Sequence, residues 1–64
     1  MQHTTGMDLK LRRMAARVTQ DQIAGHMGVR KQFISQIEAR AVVPPATVDR
    51  YRAALAAVAT SDAA

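Results

Sequence analysis

The segment from Thr19 to Gly28 leaves room for one short helix and nothing longer. Thr19 is followed three residues on by Gln22, a capping-box pattern in which each side chain satisfies a backbone N–H at the helix start. Asp21 puts negative charge in the first turn, where the helix dipole favours it. Ile23, Ala24 and Met27 form an apolar stripe. Gly28 stops the helix, because glycine enters the left-handed conformation without a Cβ penalty. The pattern predicts a helix over 20–27.

The flanking segments are punctuated as tightly. After Val29 a further helix is predicted from Arg30 to about Ala39, with Phe33, Ile34 and Ile37 on its apolar face. Gln32, Ser35, Gln36 and Arg40 fall elsewhere on its circumference. Val42-Val43-Pro44-Pro45 cannot continue it, but Pro45 suits the first position of a new helix. There Val48, Tyr51, Leu55 and Val58 repeat on one face. Upstream, Leu9, Arg13, Met14 and Val18 share a face and Asp8 sits near the start, predicting a first helix over 8–17. Residues 1–7 are expected as a flexible arm, 8–59 as the domain and 60–64 as a fraying tail. No stretch alternates like a strand. The expected fold is all-α, a bundle of four short helices with room for a short fifth turn.

Composition narrows the function. A chain of 64 residues holds one domain, and without cysteine it has neither a disulfide nor a thiolate metal site. His3 and His26 are too few and too far apart for a metal centre, so neither metal nor cofactor is expected. The formal charge is +4, from nine Lys+Arg against five Asp+Glu, and the pI is about 10.8. That balance favours a polyanionic partner, nucleic acid ahead of an acidic membrane surface, over arginines that merely confer solubility. No apolar run approaches the roughly 20 residues that span a bilayer. Met1 to Gly6 lacks the layout of a signal peptide. A cytoplasmic protein is expected. Arginine outnumbers lysine and alanine is abundant, as in GC-rich bacterial or phage genomes.

The series Thr19-Gln20-x-x-Ile23-Ala24-x-x-Met27-Gly28-Val29, with Ile34, Ile37 and Glu38 following, resembles the Cro/phage-repressor type of helix-turn-helix, the xenobiotic-response-element family. The likeness reaches upstream through Leu9-Lys10-x-x-Arg13 and Val18, and downstream through Thr47-Val48-x-Arg50-Tyr51-x-x-Ala54-Leu55. It covers roughly residues 8–58 and implies a lambda-repressor-like fold whose second motif helix enters a major groove about 12 Å wide. By the same resemblance, Lys31, Gln32 and Gln36 are expected to face base edges. Glutamine pairs bidentately with adenine, and lysine donates to guanine. Gln20 is expected to hold a phosphate at a helix N-terminus, with Arg30 and Arg40 as further phosphate contacts. Arg13 and Glu38 are expected to form a structural ion pair.

Three residues depart from the family pattern. Arg30 stands where Ser or Thr usually caps the recognition helix, which implies a weaker cap or an arginine turned out to phosphate. Arg17 replaces the usual glycine between the first two helices, which implies a strained turn or a longer first helix. Phe33 is large for its position and either packs in the core or meets thymine methyl groups. Elsewhere the residues read blandly. Ile23, Met27, Ile34, Ile37, Val48, Tyr51 and Leu55 are core, while Arg12, Arg17, Arg50, Arg52 and His26 are solvated surface. Leu11 and the run from Ala53 to Ala59 read equally as helix filler or as a dimer seam.

The leading expectation is a sequence-specific transcriptional regulator of the phage or mobile-element repressor type, acting at the nucleoid or in a phage-infected cell. Its partner would be double-stranded DNA with a palindromic operator, bound by a homodimer whose recognition helices lie about 34 Å apart. The alternatives are a protein-interaction module, such as an antitoxin or adaptor, and a recombination accessory factor that bends DNA. An enzyme is not expected, since no nucleophile–base pair, phosphate loop or carboxylate pair is present.

Overall fold

Thr5, not Asp8, opens the first helix. The computed structural model describes residues 3–62, and in it α1 spans Gly6–Ala15. The Thr5 hydroxyl accepts from the Asp8 N–H at 3.0 Å, and the Asp8 carboxylate accepts from the Thr5 N–H at 3.1 Å. This capping box moves the helix start two residues ahead of the expected one and its end from 17 back to 15. It also takes Thr4 to Met7 out of the expected arm. Gly6 is buried and donates its N–H to the Arg40 carbonyl at 2.8 Å, while Val43 donates to the Thr4 carbonyl at 2.9 Å. Residues 1–2 and 63–64 of the expected arm and tail lie outside the described residues.

Two successive helices end by the same device. α2 spans Gln20–Met27, opened by the Thr19–Gln22 capping box and closed by Gly28 at φ 70°. Beyond the glycine, the Val29 N–H reaches back to the Ala24 carbonyl at 3.0 Å. At the end of α1, Val18 N–H reaches back to the Arg13 carbonyl at 3.1 Å, with Arg17 in the left-handed position at φ 58°. The turn is therefore the strained one, not a longer helix. A non-glycine residue in that conformation costs about 1 kcal/mol.

α3 spans Lys31–Glu38 and α4 spans Pro45–Asp62, which carries the last helix past the expected fraying point at Thr60. Pro45 stands at its first position, and the Pro44 carbonyl accepts from Val48 N–H at 3.0 Å. The described residues hold these four helices and no strand, an all-α fold. α2 packs against α3 and α4, and α1 against the same two. Leu9, Val18, Ile23, Ala24, Ile34, Ile37, Val43, Val48, Tyr51 and Ala54 fill the core; Met27, Leu55 and Val58 border it. Met14 departs from its expected place on the α1 core face and is exposed. No helix among the described residues is long and apolar enough to cross a membrane.

Candidate nucleic-acid interface

Glu38 fixes α3 to the other three helices. It is 7 % exposed, at the last position of α3. From α1, Arg13 donates to it through Nε at 2.8 Å and Nη2 at 3.2 Å, a forked pair, while Nη1 donates to the Val18 carbonyl at 2.9 Å. From α2, Gln20 Nε2 donates at 3.0 Å. From α4, the Tyr51 hydroxyl donates at 2.6 Å. No buried side-chain polar atom among the described residues is left without a partner, which a buried charge requires.

The network sets the ionisation of its members. Burial alone would raise the Glu38 carboxyl, but hydrogen bonds from Arg13, Tyr51 and Gln20, with the Arg13 charge, outweigh it and hold the group below its ordinary range. Burial raises the Tyr51 phenol well above its usual value, and its bond to Glu38 and that residue's charge raise it further. Arg13 is held charged by its bond to Glu38.

With α3 fixed from within, its other side faces solvent. Ile34 and Ile37 point to the core, while Lys31, Gln32 and Gln36 are exposed. Gln32 and Gln36 are four residues apart, hence neighbours on one helix face. Arg30 stands at the N-cap in an extended conformation with no side-chain cap bond, and its side chain is exposed. Arg40 is exposed just past the other end. Cationic groups thus flank both ends of a polar face. Phe33 is 38 % exposed, on the solvent side rather than in the core.

Gln20 has internal partners that its expected phosphate role did not include. It is half-buried, and its amide is engaged inside the protein: Nε2 donates to Glu38, and Oε1 accepts from the Ser35 hydroxyl at 3.2 Å. Its first job is to brace α2 against α3. Ser35 and Tyr51 belong to the same network, and neither stood among the expected site residues. The signal for Tyr51 was available, because a buried phenol must find a hydrogen-bond partner. Nothing in the spacing of Ser35 marks it.

The protein-family comparison matches the helix-turn-helix domain over residues 6–64. Comparisons with curated proteins and with solved structures each give no match. The match begins at the first residue of α1 and runs past the end of α4, so the resemblance to a Cro/phage-repressor-type domain stands on the whole fold. The chain belongs to the helix-turn-helix domain family.

Proposed function

We propose that the protein is a sequence-specific regulator of transcription that binds double-stranded DNA through α3, as a repressor of the phage or mobile-element type. The observation that carries this is the division of α3: Ile34, Ile37 and Glu38 hold it from inside, and Lys31, Gln32 and Gln36 stand exposed outside. In the major groove, Gln32 and Gln36 would pair with adenine edges and Lys31 with guanine. Arg30 and Arg40, at the two ends of the helix, would neutralise phosphates and fix the register. Gln20 keeps one amide hydrogen for a phosphate beside its internal bonds. A homodimer on a palindromic operator would set two such helices one turn of DNA apart. Binding alone would then occlude the promoter.

Selection of the preferred site from random duplex DNA, followed by gel shifts at two salt concentrations, tests the proposal. An enriched site that loses affinity with salt supports it, and a palindromic one supports the dimer. Absence of any sequence preference, even at low salt, overturns it.

A further inference from the structure

Two of the expected DNA contacts, Gln20 and Lys31, border a depression between α1 and the start of α2, whose further cations, Lys10 and Arg17, were not among them. Its wall is formed by Lys10 of α1, Arg17 of the turn, Gln20 and Asp21 of α2, and Lys31 of α3. Arg13 also borders it, but its guanidinium is committed to Glu38. Lys10, Arg17 and Lys31 have no ion-pair partner among the described residues. Three cations thus surround one concavity against the single carboxylate of Asp21. Lys31 moreover stands at the first position of α3, where a positive charge opposes the helix dipole. In the free protein this arrangement is self-repelling. An anion seated in the concavity adds an attraction to each of the three cations and to the positive end of α3, which offsets the repulsion.

Arg17 is the residue whose presence needs explaining. It occupies the left-handed position that Gly28 fills at the end of α2, and it does so at a conformational cost that glycine would not carry. Strain of this kind is held in place by the surrounding structure and clusters at functional sites. Its forked guanidinium matches the paired oxygens of a phosphodiester better than an ammonium does. The depression adjoins Lys31, the first residue of the helix proposed to enter the groove, so a backbone phosphate flanking that groove is the anion within reach. We propose that Arg17, together with Lys10, clamps a DNA backbone phosphate in this depression, an inference that rests on the DNA-binding function proposed above.

The test compares the full chain with its Arg17→Gly and Arg17→Lys variants, by thermal melting and by titration of a mixed-sequence DNA duplex over a range of salt. Arg17→Gly is expected to melt higher, because the turn relaxes, and yet to bind about threefold to tenfold more weakly on every sequence. Its slope of log affinity against log salt is expected to fall by about 0.9, one phosphate's worth. Arg17→Lys, which keeps the charge, is expected to retain most of that slope. A purely structural arginine would move stability alone, so Arg17→Gly binding with unchanged affinity and slope overturns the inference and leaves DNA binding intact. A parent chain that does not bind the duplex at all overturns both.

Discussion

The Tyr51 hydroxyl donates to Glu38 Oε2 at 2.6 Å, so the last helix is bonded directly to the end of the helix that carries the exposed polar face. The same hydroxyl lies 3.4 Å from the Leu9 carbonyl of α1. Tyr51→Phe keeps the ring and removes only the donor, leaving a buried carboxylate with Arg13 and Gln20. A hydrogen bond to a charged group is worth about 1.5–3 kcal/mol. Urea unfolding of the variant is expected to show a loss in that range.

The same network predicts how stability depends on pH. Glu38 and Asp8 both have folded-state pKa values below their unfolded ones, Asp8 through its bonds from the Thr5 N–H and hydroxyl. Their contributions are complete above the ordinary carboxylate range and are lost as pH falls through the folded values. Tyr51 is raised in the folded state, so its contribution is complete below the ordinary phenol value and is lost as pH climbs above it. Thermal melts are expected to show a plateau between about pH 5 and 10 with a decline on each side. Tyr51→Phe is expected to remove the alkaline decline. Persistence of that decline in the variant would assign it to other groups.

Two glycines are expected to respond oppositely to alanine. A Cβ on Gly6 would lie 2.5 Å from the Glu38 carbonyl oxygen, against backbone that cannot swing away. Gly6→Ala is expected to destabilise by about 2–3 kcal/mol, the upper part of the overpacking range. Gly25, inside α2, has open space around its Cβ position. Gly25→Ala is expected to stabilise by about 0.5–1 kcal/mol through helix propensity. Denaturant midpoints of the two variants check both signs.

Arg30→Ser is expected to stabilise the protein by about 1 kcal/mol, since it gives α3 the side-chain cap it lacks. Under the proposed function the same change removes a phosphate contact, so binding weakens while melting rises. Measured together, the two readouts separate a capping defect from a functional arginine.

The bundle was legible wherever the chain is punctuated. The Thr19–Gln22 box and Gly28 bracket α2, and Pro45 opens α4, at their observed positions, because each acts through local backbone chemistry. Thr5 escaped notice because its partner is Asp8, a shorter residue than the usual Glu or Gln of a capping box. Met14 was misplaced because it lies five residues, about 1.4 turns, beyond Leu9. Arg13, four residues on, takes that place on the core side. Gln20 carried a role that spacing cannot reveal: its partners Ser35 and Glu38 come from another helix, and only the crossing of α2 with α3 brings them within reach.

Glu38 anchors the whole of α3 from one end and one side, with donors from α1, α2 and α4. Gln32 and Gln36 take no part in that anchoring. The side chains on the outer surface of α3 are thereby uncoupled from the frame that holds it. Gln32 and Gln36 can therefore be exchanged without disturbing the bonds that hold α3, so under the proposed function the choice of sequence and the stability of the fold can vary independently.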